Sequence, residues 1–281
     1  MRKGLVMEGG ALRGLFTTGI IDVFMENGIE FDGAIGVSAG AAFGCNYKSR
    51  QIGRGIRYNK NLARDWRYKS YRSFITTGDL FGGEFCYHTM PKSVDLFDTD
   101  VFESNPMEFY AVCTDVESGK PHYQKLTKGD DYDCEWIRAS ASMPLASKLV
   151  NIDGRVYLDG GITDSIPLKF MEDAGYDRNI VITTQPLGYT KKPYKIMPVI
   201  KAKYHKYPNM VHAIATRHNM YNAQTSYIME REKAGACFVI RPPEALNIKP
   251  MERDTAEMDR VYDMGRIAGK KYLEDVKNFF G

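Results

Sequence analysis

The chain has 281 residues, 43% of them apolar, with 38 Lys and Arg against 35 Asp and Glu. This composition excludes a disordered chain, and 26 glycines and 12 prolines without a period exclude a collagen-like or repeat architecture. No run of about 18 apolar residues occurs, so no spanning helix is expected, and the length suits one domain over residues 1–281 with a sizeable core.

Lys3 to Met7 reads as a short buried strand, broken at Gly9-Gly10. Ala11 to Asn27 follows with helical spacing, placing Leu12, Leu15, Phe16, Gly19, Ile20, Val23 and Phe24 on one side. Phe31 to Val37 reads as a second strand and Ala39 to Tyr47 as a second helix. Two strand–turn–helix units within 50 residues predict a parallel α/β sheet with right-handed crossovers. The stretch from Gly53 to Asn105 mixes basic helical pieces with a loop-like run, Thr77 to Gly83. Glu108 to Val116 and Pro121 to Leu126 alternate as strands. Trp136 to Ser142 reads as helix, and Asp153-Gly154 as a type I′ hairpin turn between Leu149–Ile152 and Arg155–Leu158. Ile180 to Thr184 reads as a buried strand. Met210 to Lys233 and Arg253 to Phe280 read as long amphipathic helices.

Charge is concentrated. Lys48 to Arg72 holds nine basic residues and one acid, and Gly188 to Tyr207 holds six lysines and no acid. Two solvated faces would explain them. An anionic partner, such as a membrane surface, would explain them too, since tyrosines and Trp66 lie among the cations. No recognition motif for nucleic acid accompanies the charge. The N-terminus, Met1-Arg2-Lys3 with Glu8 soon after, lacks the apolar core of a secretory signal. Five cysteines without a C-x-x-C pattern favour reduced thiols in a cytoplasm over a zinc or disulfide framework.

Three motifs carry chemistry. Gly36-Val37-Ser38-Ala39-Gly40 fits G-x-S-x-G at a strand-to-helix turn, so tight that positions two before and two after the serine must lack large side chains. An N-capping serine in a glycine-rich turn is the competing reading. Glu8-Gly9-Gly10-Ala11-Leu12-Arg13-Gly14 lies at the preceding strand-to-helix turn. It fits neither a dinucleotide fingerprint nor a Walker loop. It suits an oxyanion hole from the N–H groups of Gly9, Gly10, Ala11 and Leu12, with Arg13 anchoring the turn or adding positive potential. Leu158-Asp159-Gly160-Gly161 places a carboxylate after a strand, where it can serve the serine as a base.

Together, in this order, the three motifs resemble the patatin-like phospholipase family, as does Arg138-Ala139-Ser140-Ala141-Ser142-Met143-Pro144. The likeness runs from about Gly4 to Thr184, leaving 185–281 as a mostly helical remainder. The resemblance implies a three-layer α/β/α sandwich with a mostly parallel central sheet. It also implies a Ser38–Asp159 dyad that works without histidine on lipid acyl esters, through an acyl-enzyme and without metal or other cofactor. Gly9, Gly10 and Ala11 would form the oxyanion hole, supported by Arg13, Gly14, Gly36, Gly40 and Gly160. Ala11 stands where the family usually has a third glycine, and alanine forbids much of the space at φ > 0.

Two other readings stay open. A Ser–His–Asp hydrolase could draw on His205, His212 or His218, although that fold lays down several strands before its serine. A non-catalytic lipid-binding module could use the same pocket. The Asp95/Asp98/Asp100 and Asp130/Asp131/Asp133 clusters lack calcium-loop spacing, and turn or N-cap roles account for them.

Overall fold

A computed structural model describes all residues, 1–281. In chain order, strand β1 (Lys3–Met7) leads to helix α1 (Gly14–Glu26), and β2 (Gly33–Val37) to α2 (Ala39–Lys48). Short helices follow: α3 (Arg54–Asn61), α4 (Tyr71–Thr77), a π-helical turn (Phe85–Thr89) running into α5 (Met90–Ser93), and α6 (Thr99–Ser104). Next come β3 (Glu108–Asp115), β4 (Lys120–Leu126), α7 (Asp131–Ser140), and the hairpin β5 (Val150–Ile152) and β6 (Arg155–Asp159). The chain closes with α8 (Leu168–Asp173), β7 (Arg178–Ile182), α9 (Met197–Lys203), α10 (Pro208–Lys233), β8 (Cys237–Ile240), α11 (Thr255–Lys271) and α12 (Leu273–Phe280).

The strands form one sheet in the order β5-β6-β3-β2-β1-β7-β8, with β4 also on β3. β3, β2, β1, β7 and β8 are mutually parallel; β4 and β6 run antiparallel to β3, and β5 antiparallel to β6. Strand residues alternate between two buried faces. Leu5, Met7, Ala34 and Phe109 join one core with α1, α2 and α11, while Val6, Ile35, Val37 and Val181 join another with α8 and α10. The result is the expected three-layer α/β/α sandwich with a mostly parallel sheet.

Several boundaries differ from the pattern-based reading. The helix expected at Trp136 starts at Asp131, because Asp130 caps it by accepting the Asp133 N–H. The expected helix over 253–280 is two, separated at Tyr272. β8 was not expected at all; its four residues sit between a helix and a loop and are too few to show alternation. The Asp153-Gly154 turn has φ of 51° and 80°, the type I′ signature.

The C-terminal third is tied to the first helix. Tyr262 of α11 donates its hydroxyl to Asp22 of α1 at 2.8 Å. Burial pushes the Asp22 carboxyl up to about 6, and the Tyr262 hydrogen bond opposes that rise. With its folded pKa above the unfolded one, Asp22 contributes most stability at low pH and loses that contribution as pH rises through about 6. We propose that residues 1–281 fold as one cooperative unit. Tyr262→Phe leaves the buried carboxylate short of a donor. It should cost about 1–3 kcal/mol at pH 8 and less at pH 5, where Asp22 is largely protonated, as read from urea unfolding at the two pH values.

Candidate active site

β2 and β6 meet end to end along the same edge of β3. Val37 pairs with Val112, and the next residue of β3, Cys113, pairs with Asp159. Because β6 runs antiparallel, its last residue arrives where β2 finishes. Ser38 and Asp159, 121 positions apart in the chain, are thereby set at one junction of the sheet.

Ser38 has φ 55° and ψ −120°, a conformation that costs a non-glycine residue about 1–3 kcal/mol and persists only when its surroundings enforce it. The glycines on either side are part of that enforcement. A Cβ at Gly36 would lie 2.4 Å from the Ala41 nitrogen, and one at Gly40 would lie 2.3 Å from the Met7 oxygen. Ser38 stands at the N-cap position of α2, yet its hydroxyl accepts no capping hydrogen bond. The competing N-cap reading therefore fails, and the hydroxyl is free for other work. The Ser38 N–H donates to the Ser140 hydroxyl at 2.9 Å, and the Asp159 N–H donates to the Ser142 carbonyl at 2.8 Å. The Arg138–Pro144 segment thus holds both residues from behind.

Asp159 is buried, and its carboxylate accepts the Gly161 N–H at 2.8 Å. Gly160 presses on β3, where a Cβ would come within 2.1 Å of the Val112 oxygen. Burial raises the Asp159 carboxyl above its ordinary range. The Arg217 charge, Ser38 as a weak hydrogen-bonding partner, the Gly161 N–H and the Lys191 charge pull it back in part.

The Gly9–Leu12 loop abuts Ser38: a Cβ at Gly9 would lie 2.8 Å from Ser38 Cβ. Gly10 has φ 152°, and Ala11 takes φ 48° despite its methyl group. None of the four N–H groups from Gly9 to Leu12 has an acceptor within the protein, which leaves them available to an anionic oxygen. The loop is braced by Thr184, whose hydroxyl donates to the Gly9 carbonyl at 2.7 Å and whose N–H donates to Glu8 at 2.6 Å. Gly14 lets α1 approach α2, since a Cβ there would lie 2.8 Å from the Phe43 ring. Arg13 packs its guanidinium against Gly10, and its buried Nε has no partner.

Ser38 opens into a mostly apolar cavity of about 110 Å³, lined among others by Leu12, Phe43, Tyr58, Tyr87 and Met143. Twelve of its 26 lining residues come from the 53–105 stretch, which pattern reasoning read only as basic helical pieces with a loop-like run. The π-helical turn contributes Cys86 and Tyr87.

The sequence reading also missed Arg217 and Lys191. Arg217, on α10, donates Nε to the Gly161 carbonyl and Nη1 to the Tyr194 hydroxyl at 2.8 Å. Lys191 lies over the Tyr221 ring at 4.3 Å and is pushed down to about 8, chiefly by burial. Neither falls in a motif; an acidic neighbour 50 residues away leaves no local trace. The basic segments are accordingly not wholly solvated faces: Lys48, Arg54 and Lys69 are buried, and Lys191 turns inward.

No histidine hydrogen-bonds to Ser38 or Asp159. His205 and His212 are exposed, the one side-chain hydrogen bond of His205 is to the Ala202 carbonyl, and His218 is half-buried on α10 with its Nδ1 unpartnered. In the acidic clusters, Asp98 and Asp130 cap helices, and Asp95 pairs with Arg54 and Arg57. All five cysteines are buried and unpaired.

Comparison with known proteins decides the lineage. Residues 5–171 match the model of the patatin-like phospholipase family. The chain belongs to that family. As a member it is a carboxylic ester hydrolase that acts on lipids. Residues 207–281 match a domain of unknown function, DUF6363. The chain is 29% identical to the uncharacterized protein YjjU of Escherichia coli, covering 98% of this chain and 78% of that one. It is 25% identical to lysophospholipase nte1 of Aspergillus terreus over 98% of its own length, but spans only 18% of that protein. Among solved structures, VipD of Legionella pneumophila aligns with 98% of the chain and 67% of its own, at 13% identity and a TM-score of 0.46.

The electrostatic balance at Asp159 can be tested directly. Arg217→Gln removes the main influence lowering the buried carboxyl. The Asp159 side chain, followed by carbon NMR, should titrate at higher pH in the variant than in the wild type. An unchanged or lower titration would contradict the arrangement.

Proposed function

We propose that the protein hydrolyses single lipid acyl esters, of the lysophospholipase or phospholipase A kind, through a Ser38–Asp159 dyad and an acyl-enzyme. The observation that carries this reading is Ser38. It is held in a strained turn with its hydroxyl uncommitted, beside a buried carboxylate and at the mouth of an apolar cavity. The lysophospholipase name of a relative supports the substrate class.

In this mechanism Ser38 Oγ attacks the ester carbonyl carbon as Asp159 takes its proton. The carbonyl oxygen becomes an oxyanion facing the free N–H groups of Gly10, Ala11 and Leu12. Loss of one such donor costs about 3–4 kcal/mol of transition-state stabilisation. The tetrahedral intermediate collapses, the carbon–oxygen bond to the alcohol breaks, and Asp159 returns the proton to the leaving alcohol. Water, deprotonated by Asp159, attacks the acyl-enzyme; the fatty acid leaves and Ser38 regains its proton. An aspartate of ordinary pKa, about 3.9, is a weak base. Burial raises it toward the task, and Arg217 keeps it ionised enough to act.

Ser38→Ala and Asp159→Asn should each lower hydrolysis of a lysophospholipid by about a thousandfold or more. The stability readout separates the base from a structural role. The folded pKa of Asp159 is raised, so its contribution to stability is present at low pH and is lost as pH rises; at pH 7 the ionised form is a cost. Asp159→Asn should therefore unfold at higher temperature than wild type at pH 7, with the difference shrinking below about pH 4, the ordinary aspartate range. Near-wild-type turnover in Asp159→Asn would sink the dyad.

The proposal extends to peripheral contact with anionic membranes. No helix is long and apolar enough to cross a membrane. Tyr71 and Ile75 on α4 are 74% and 82% exposed, with Arg72 exposed on the same helix. Ile196 and Val199 are exposed beside Lys192 and Lys195. The Leu145–Lys148 loop joins these distant segments: the Leu80 N–H donates to the Ala146 carbonyl at 2.8 Å, and the Leu145 N–H to the Tyr204 hydroxyl at 2.9 Å. Each cation near an anionic surface contributes about 1 kcal/mol. Arg72→Glu combined with Lys192→Glu and Lys195→Glu should weaken sedimentation with anionic vesicles at low salt. Equal binding of the wild type to neutral and anionic vesicles would remove this part of the reading.

A further inference from the structure

Of the 17 arginines of this protein, 11 find a carboxylate. Arg54 and Arg57 share Asp95, Arg138 pairs with Glu135, Arg241 with Glu232 and Arg266 with Glu26. Beside the dyad the pattern breaks. Arg13, Lys191 and Arg217 gather there, close enough that Arg217 and Arg13 each disfavour the charge on Lys191. None of the three forms an ion pair within 4.0 Å. The nearby acids are otherwise engaged: Glu8 accepts from the Thr184 N–H and the Tyr221 hydroxyl, and Asp159 from the Gly161 N–H. Gathering like charges in a half-buried site costs free energy that a bound anion would offset.

The cluster also has room. A cavity of about 350 Å³ is lined by Tyr189, Thr190, Lys191, Lys192, Tyr194 and Arg217. It shares no lining residue with the apolar cavity that opens at Ser38. Arg217 borders it and also holds the Gly161 carbonyl, two residues past Asp159. An ester at Ser38 would thus have an apolar chamber toward α3 and the π-helical turn, and a cationic chamber toward α10. Its tyrosines supply hydroxyl donors without adding negative charge.

We propose that Lys191 and Arg217 form a phosphate subsite that receives the headgroup of a glycerophospholipid whose acyl ester lies at Ser38. This inference rests on the lipid-hydrolase reading and adds the headgroup chemistry to it. Lys191 contributes a compact cation. Arg217, fixed by its bonds to Gly161 and Tyr194, lines the same space with its guanidinium charge.

The test compares two substrates with the same acyl chain, a monoacyl glycerophosphate and a monoacylglycerol. The readout is the ratio of their kcat/KM values, in which any effect of Lys191 on Asp159 cancels. Lys191→Gln should lower the ratio about tenfold, equivalent to about 1.4 kcal/mol, through KM for the phosphorylated substrate. Lys191→Arg should restore most of it. An unchanged ratio in Lys191→Gln overturns the subsite. A second arm distinguishes a lipid headgroup from free phosphate: glycerol phosphate should raise the melting temperature of the wild type, more than inorganic phosphate does and not in Lys191→Gln. Equal protection by the two, or none by either, overturns the headgroup assignment. This arm needs no turnover. If the wild type hydrolysed neither lipid, the hydrolase reading would fail by itself and glycerol phosphate binding would still decide the subsite.

Discussion

The site depends on one constraint: two strands share a single lane of the sheet. β3 is longer than β2, so the row beside it has space after Val37, and β6 fills that space from the opposite direction. Where the two strand ends approach, side chains cannot be accommodated on the backbone that turns away. Gly36 and Gly40 let the chain leave β2 beneath its own helix, and Gly160 lets the chain leave β6 against Val112. The side chains of Ser38 and Asp159 are left facing each other's strand end at the junction. Their proximity follows from strand lengths and register, not from any direct attraction between them, and it survives the absence of a strong Ser–Asp hydrogen bond.

Burying a carboxylate at that junction has an energetic consequence. Desolvation raises Asp159, and the surroundings answer with one N–H donor and two cations at a distance, not with a close ion pair. A close pair would have fixed the carboxylate as a poor base. Arg217 instead spends its hydrogen bonds on the Gly161 carbonyl and Tyr194, so its charge acts on Asp159 through space. The same choice leaves positive potential uncommitted in the neighbouring chamber. The raised Asp159 carboxyl and the unpaired positive charge beside it are two results of withholding one salt bridge, which is a cost to stability.

How much of this was legible in the sequence depends on where each residue's partners lie. Ser38, Asp159 and the Gly9–Leu12 loop stood out because their geometry is local: tight turns demand glycine at fixed offsets, and those offsets are visible in one dimension. Four of the five parallel strands, all but β8, were visible because both faces of each are buried, giving short continuous apolar runs. Residues 53–105 were legible only as helical pieces without clear bounds, since they form short helices and turns around a cavity, each too short to sustain a period. The π-helical turn at Phe85–Thr89 belongs to that wall and has no periodic signature. Lys191 and Arg217 were hidden for a different reason. Their partners are Tyr221, Gly161 and the field of distant carboxylates, so the lysine-rich segment looked uniformly solvated although its first lysine turns inward.

Ala11 is the point at which the family resemblance and the physics diverge. A third glycine would occupy φ 48° without strain, whereas alanine there is in the left-handed region at a cost of order 1–2 kcal/mol. The loop keeps the conformation because it is held from both ends. Thr184 grips the Gly9 carbonyl and Glu8 on one side, and the Arg13 N–H closes on the Gly10 carbonyl at 3.1 Å on the other. Glu8 is itself fixed by Tyr221 at 2.8 Å, so α10 braces the loop as well as supplying Arg217. The methyl group therefore sits in a turn whose shape is set elsewhere, and the N–H groups of the loop stay without an acceptor in the protein. A brace of this kind makes the C-terminal helices part of the candidate site: the Gly9–Leu12 loop, the charge that acts on Asp159 and the wall of the cationic chamber all depend on residues beyond 184.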